Sequence, residues 1–386
     1  MNPYARFGVP TLINACGTVT RLSGGHMHPD VAAAMAAAST ECVDMLALQA
    51  GASRVIARVT GAAAGIVTSG ASAAVLLGAA ACLAGLDPAC MNHLPATTGR
   101  NQFIVVRSQR NMYDRALCAA GGNIVEVGIP DRYSGPGVRD AAAWEIEAAI
   151  TPNTAGIFYL AQPQSLPALL EIASVARAHH LPLLVDAAAQ LPPAANLHRF
   201  IDDGADLVAF SGGKAIGGPQ ASGILCGRRD LVSSALIQML DLDVYPEHFH
   251  PPAEFAPLAQ MPGLPRHGIG RSCKTGKEEI IGLLVALERF ATADADERYA
   301  AWRSILETIA AAVGDTIETR IIDRAVPILE ILTDDLDALA AHLATNDPPI
   351  IASLARRHEN VLIISPAALT PPQAAIIGAS LNSWRA

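Results

Sequence analysis

Between Asp30 and Gly227 the chain repeats one alternation. Short runs of β-branched, aromatic and leucine residues, bounded by glycine and proline, separate longer alanine- and leucine-rich stretches. Short apolar runs of this kind suit strands buried on both faces, and their alternation with helical segments favours an α/β sheet covered on both sides. Strands are expected at Gly65–Thr68, Phe103–Arg107, Asn123–Gly128, Gly156–Leu160, Leu183–Asp186, Leu207–Phe210 and Gly223–Cys226, enough for one large sheet. Helices are expected at Asp30–Ala38, Ser53–Thr60, Ser72–Ala84 and Pro167–His180, the last with proline in its first turn and two histidines at its end.

The proline-rich stretch Tyr245–Pro265 breaks every regular period and reads as the way out of the large domain. Beyond it, helical patterns at Lys277–Phe290, Asp294–Val313 and Pro371–Ser380 and strand patterns at Arg320–Leu332 and Asn360–Ile364 predict a smaller α+β domain. The expected division is an N-terminal segment over 1–30, a large domain over 31–245 and a small domain over 246–386.

Composition narrows the partners. A hydrophobic content of 51% over 386 residues supports one large core and a second smaller one. The net charge of −9 and the lack of any Lys/Arg block argue against a general nucleic-acid surface and point to small molecules. Seven cysteines are scattered singly, which suggests neither a disulfide framework nor a zinc site. The N-terminus carries no signal pattern and the alanine-rich segments are too interrupted to span a bilayer, so a cytoplasmic protein is expected.

Asp206–Leu225, DLVAFSGGKAIGGPQASGIL, sets Lys214 among five glycines directly after an apolar run. A glycine-flanked lysine is commonly no more than part of a surface turn. If desolvated, however, its amine is costly to charge and becomes a nucleophile. Three other segments favour chemistry. Asp186 ends a strongly apolar strand, where α/β sheets place functional groups, and could pair with a pyridine nitrogen while Ala188 leaves room for the ring. Ser69-Gly70-Ala71-Ser72 turns a strand into a helix, exposing backbone N–H groups and hydroxyls suited to a phosphate, although a plain serine N-cap would read the same way. Arg271 and Lys274 follow the flexible turn Gly268-Ile269-Gly270 and could grip an anion.

The order of phosphate cradle, carboxylate, lysine and arginine resembles that of pyridoxal 5′-phosphate (PLP) enzymes of the aspartate-aminotransferase superfamily. INACGTVTRLSGG, TSGASAAVLL, NMYDRALCAAGGNIVEVG, LVDAAAQLPP, FSGGKAIGGPQASGIL and GIGRSCKTGKEEIIGLLVALE resemble the branch that holds bacterial selenocysteine synthase and D-glucosaminate-6-phosphate ammonia-lyase. The resemblance implies an α/β, aspartate-aminotransferase-like large domain (PLP fold type I) with a mainly parallel seven-stranded sheet. It implies PLP as cofactor, a Schiff base on Lys214, Asp186 as partner of the ring nitrogen, and Ser69, Gly70, Ala71 and Ser72 as phosphate loop. Ala188, Gln162, Ser211 and Gly218 would complete the cofactor contacts, and Arg271, Lys274 and His26 would face substrate. The reaction it favours is α,β-elimination of the ammonia-lyase or dehydratase type on a hydroxylated amino acid or amino sugar acid. Racemase, aldolase, aminotransferase, selenium-transfer and non-catalytic readings stay open, and a homodimer or an assembly of dimers is implied.

The branch often carries a histidine over the ring, where Arg107-Ser108-Gln109-Arg110-Asn111-Met112-Tyr113 has none; Arg110 and Tyr113 are the candidates there. The stretch from Gly270 to Lys277 lacks the spacing and the Ser/Thr of a nucleotide-binding loop, and His26-x-His28 and His248-x-His250 have no partners at metal-ligand spacing. No metal is expected.

Overall fold

The computed structural model describes residues 2–97, 99–129, 140–314 and 317–384. The chain forms two compact units, one from His28–Ala291 and one from Met1–Met27 with Thr292–Ala386. The first strand, β1 (Ile13–Asn14), belongs to the second of these.

All seven expected strands are present in the larger unit and form a single sheet. They are β2 (Ala64–Thr68), β3 (Gln102–Val106), β4 (Asn123–Val127), β5 (Thr154–Leu160), β6 (Leu183–Asp186), β7 (Leu207–Ser211) and β8 (Gly223–Gly227), in the order β2-β8-β7-β6-β5-β3-β4. Strands β3 to β7 run parallel. β8 alone runs antiparallel, between β7 and β2.

Both faces of the sheet are buried, so successive residues of one strand enter different cores. Ile157 and Tyr159 of β5 join one cluster and Phe158 joins the other. The first cluster is covered by α2 (Met45–Thr60), α7 (Leu169–Ala178), α8 (Asn196–Asp202) and α10 (Lys277–Thr292), and the second by α3 (Ala71–Ala84) and α9 (Arg229–Met239). The shorter helices α4 (Pro88–His93), α5 (Arg115–Ala119) and α6 (Ala143–Ala148) and the N-terminal α1 (Pro29–Ser39) complete the unit. At about 1.5–3 kcal/mol for each fully buried large aliphatic side chain, this two-sided burial is what holds the sheet. Small residues bring α3 close to the sheet: a Cβ on Gly78 would sit 2.9 Å from Leu184 Cδ1 on β6.

The boundary expected between residues 245 and 246 lies inside the larger unit. Phe255 and Leu258 of the proline-rich stretch are buried in one core, and Ile280, Leu283 and Leu287 of α10 in the other. Prolines break the period of this stretch without removing its apolar anchors. Helix α7 starts at Leu169, not Pro167, and α2 starts eight residues before the expected Ser53.

In the smaller unit, β1 pairs in parallel with β11 (Ile350–Ile351). A separate antiparallel sheet runs β12 (Ser353–Arg356), β13 (Val361–Ile364), β10 (Ile328–Leu332), β9 (Glu318–Ile322). The run expected over Arg320–Leu332 is thus two strands, since the stretch from Asp323 to Pro327 turns the chain and Ile322 pairs with Ile328. Helices α11 (Ala295–Val313), α12 (Leu336–Ala344) and α13 (Pro371–Ser383) bury Leu306, Leu339 and Ile377 against Leu329 and Leu362. Among the described residues, no helix is long and apolar enough to cross a membrane.

Candidate active site

Parallel strands leave their C-terminal ends as the place where side chains and loops converge, and the candidate residues lie there. Asp186 is the last residue of β6 and is 4% exposed. Ala188 N–H donates to its Oδ1 at 2.9 Å. Burial pushes the Asp186 carboxyl above its ordinary range, while the Ala188 N–H and the Lys214 charge pull it back.

Lys214 lies in the loop from β7 to β8. Gly212 N–H donates to Ser222 O and Gly218 N–H donates to Gly212 O, both at 2.9 Å, so the loop folds tightly on itself. A Cβ on Gly213 would stand 2.7 Å from Gln220 Cα, which answers why glycine precedes the lysine. Lys214 is half-buried, and burial pushes its amine below the usual range against the opposing charge of Asp186. Each charge therefore acts on the other. Gly218 packs against Leu283 Cδ1 and Gly212 O of its own chain, so close contact within the chain accounts for its small size.

The turn from β2 into α3 provides the third part. Gly70 is the N-cap of α3, with φ +137°, and no side chain caps the helix, which leaves its first N–H groups facing outward. Thr68 Oγ1 donates to Gly70 O at 2.9 Å. Ser69 is half-buried and Ser72 exposed. Gly223 lies opposite Thr68 on one side and Ser211 on the other, and its neighbour across the gap is the loop itself: a Cβ there would be 2.4 Å from Gly70 C and 2.6 Å from Ala71 N. From β2 to β6 is three strand spacings, about 14 Å, across which a phosphorylated ring could bridge from the α3 N-terminus toward Asp186. The uncapped helix start, the buried carboxylate and the half-buried amine fit such a group.

A cavity of about 670 Å³ opens in the same unit, with Gln49, His248, His250, Arg271, Lys274 and Thr275 in its wall. Arg271 Nη2 donates to Asp241 Oδ2 at 2.8 Å. Lys274 is exposed and makes no ion pair among the described residues. Thr275, 8% exposed, has a buried hydroxyl with no partner among the described residues. Sequence reasoning passed over Thr275, which lies within the quoted segment GIGRSCKTGKEEIIGLLVALE, missed Gln49, which carries no motif, and weighed His248 and His250 only as metal ligands. Of the remaining expectations, Gln162 follows Leu160, which pairs with Asp186, and is exposed, with its Oε1 accepting from Gln164 Nε2 at 3.0 Å, and His26 is exposed in the smaller unit. Arg110 is held by Asp114 and Glu126, and Tyr113 is 56% exposed. Gln109, one residue earlier, is the buried member of that segment and ties Leu160 N–H to Leu166 O.

Residues 12–241 match the family model described as L-seryl-tRNA selenium transferase. The chain belongs to this family. Within it, the chain is 28% identical to the D-glucosaminate-6-phosphate ammonia lyase of Salmonella typhimurium over 99% of its own length and 97% of that protein's. It is 29% identical to the L-seryl-tRNA(Sec) selenium transferase of Desulfovibrio desulfuricans, but over only 46% of this chain and 37% of that one. A solved D-glucosaminate-6-phosphate ammonia-lyase superposes with a TM-score of 0.80 at 27% identity, covering 100% of this chain and 98% of that one. The Escherichia coli cysteine desulfurase CsdA shares the fold at 16% identity, with a TM-score of 0.57 over 99% of this chain and 96% of that one. The fold of this family member is accordingly fold type I of the PLP enzymes.

Proposed function

We propose that the protein is a PLP-dependent lyase that removes ammonia from a hydroxylated amino acid or amino sugar acid, leaving a 2-oxo acid. The observation that carries this reading is the placement of buried Asp186 at the end of β6 and of half-buried Lys214 in the loop that leaves the neighbouring strand β7. The near full-length similarity to an ammonia lyase supports the reaction type.

The N-terminus of α3 with Ser69 and Ser72 would hold the cofactor's phosphate, Asp186 its ring nitrogen and Lys214 its aldehyde end. Bound there, PLP supplies an electron-withdrawing ring that stabilises negative charge at the substrate Cα. Lys214 Nζ, kept more basic-form than an exposed lysine by burial, accepts the Cα proton. Asp186 keeps a negative charge against the ring nitrogen, and Ala188 N–H fixes the direction of its carboxylate. Lys274 and Arg271 would bind the anionic tail of the substrate, which suits a phosphorylated polyhydroxy acid. The same proposal includes a homodimer or an assembly of dimers, to be tested by light scattering, and a cytoplasmic location, which suits the free cysteines Cys42, Cys90 and Cys118.

Purified protein supplied with PLP is expected to release ammonia and 2-oxo acid in equal amounts from D-glucosaminate-6-phosphate without any amino acceptor. Oxo acid formed only when an acceptor is added would overturn the elimination in favour of transamination.

A further inference from the structure

β2 is an edge strand, and the loop that follows it carries the α3 N-terminus. An edge strand leaves one row of N–H and C=O groups without a neighbouring strand. Here α2 supplies that row from its side chains. Gln49 Nε2 donates to Val67 O at 2.9 Å, and Val67 N–H donates to Gln49 Oε1 at 3.0 Å. One turn on, Ser53 Oγ accepts from Gly65 N–H at 3.1 Å. Both side chains are at most 2% exposed. Gly65 permits the approach, since a Cβ there would lie 2.3 Å from Ile56 Cγ2.

One carboxamide thus does for Val67 what a paired strand would do. The next residue, Thr68, holds Gly70 O, and Gly70 begins α3. Gln49 also reaches the wall of the cavity described above. We propose that Gln49 is a positioning residue for the phosphate loop: by pinning Val67 it fixes where the uncapped N–H groups of α3 point. This rests on the reading of that loop as the phosphate site.

The test compares PLP with pyridoxal, which has the same ring and aldehyde but no phosphate, by titrating apo wild type, Gln49→Met and Ser53→Ala. The ratio of the two dissociation constants is the phosphate preference. Wild type is expected to prefer PLP strongly; equal affinity would sink the phosphate-loop reading and the inference with it. Gln49→Met is expected to lose about tenfold or more of the preference, with pyridoxal affinity unchanged. Ser53→Ala, two residues farther from the loop along β2, is expected to lower the melting temperature but keep the preference. Given a PLP-preferring wild type, an unchanged preference in folded Gln49→Met, or equal losses in both variants, would show a purely structural edge and overturn the inference. Should Gln49→Met fail to fold by circular dichroism, Gln49→Asn, which keeps a neutral carboxamide but is one methylene too short to reach both Val67 groups, decides by the same ratio.

Discussion

Replacing Gly223 by alanine should weaken cofactor binding through a single methyl group. Its Cβ would stand 2.4 Å from Gly70 C, 2.6 Å from Ala71 N and 2.8 Å from Gly70 O. Ordinary carbon contacts begin near 3.5 Å, so something must retreat by about 1 Å. β8 cannot yield easily, because Gly223 sits in register between Thr68 and Ser211 and is bonded into the sheet on both sides. The loop must move instead. Overpacking of this kind costs about 1–3 kcal/mol, which for a unit of this size lowers the melting temperature by roughly 2–12 °C. A shift of about 1 Å takes an N–H···O contact of about 2.9 Å beyond hydrogen-bonding range. Two such charge-assisted bonds to a phosphate at about 1.5 kcal/mol each correspond to roughly a hundredfold loss of PLP affinity. Absorbance titration of the apo protein measures this, with calorimetry for the melting temperature. PLP affinity within about threefold of wild type in Gly223→Ala would refute the argument, since ~0.7 kcal/mol is less than one such bond. Gly70→Ala is the contrasting case: nothing lies within 4 Å of its Cβ, and only the φ of +137° opposes the substitution.

Lys214→Ala is expected to lower turnover by about a thousandfold or more and to abolish borohydride fixation of the cofactor; wild-type levels of fixed cofactor in the variant would contradict the assignment. Burial raises the native pKa of Asp186 above the ordinary 3.8, so the stability it contributes is full below that value and is lost as pH rises through the native pKa. Apo Asp186→Asn, which has no such loss, should gain stability relative to wild type as pH rises through that window, read from urea midpoints between pH 4 and pH 8. Burial pushes the Cys226 thiol up to about 12, whereas Cys42 and Cys118 are exposed. A thiol reagent at pH 8 should therefore label the latter two in native protein and Cys226 only after denaturation, as peptide mapping would show.

The larger sheet was legible because its strands are mostly short apolar runs buried on both faces; only the edge strand β4, with Asn123 and Glu126 exposed, departs from that pattern. Lys214, Asp186 and the turn at Gly70 were legible as motifs, since glycine spacing and a carboxylate ending an apolar strand leave a local trace. Their mutual influence was not, because it depends on β6 and β7 being neighbours. The domain boundary failed for a related reason: proline-rich sequence hides Phe255 and Leu258, whose burial is decided by distant partners. Gln49 left no trace at all. In MLALQAGAS it is a polar residue on a helix, and its role arises only when the unpaired edge of β2 arrives beside it. What the sequence could not show for Gln162 and Arg110 is the company their side chains keep, Gln164 for the one and Asp114 and Glu126 for the other.

The lone reversed strand has a mechanical consequence. β8 is laced to β2, which runs into the α3 N-terminus, and to β7, which runs into the Lys214 loop, so under the proposed function a single strip of backbone would act as a ruler between the two grips on the cofactor. A change that stretched that ruler would misplace both grips together, whereas the cavity wall around Lys274 and His250 can vary without touching it. New substrates should therefore be reached by rebuilding that wall, with the ruler left at its present length.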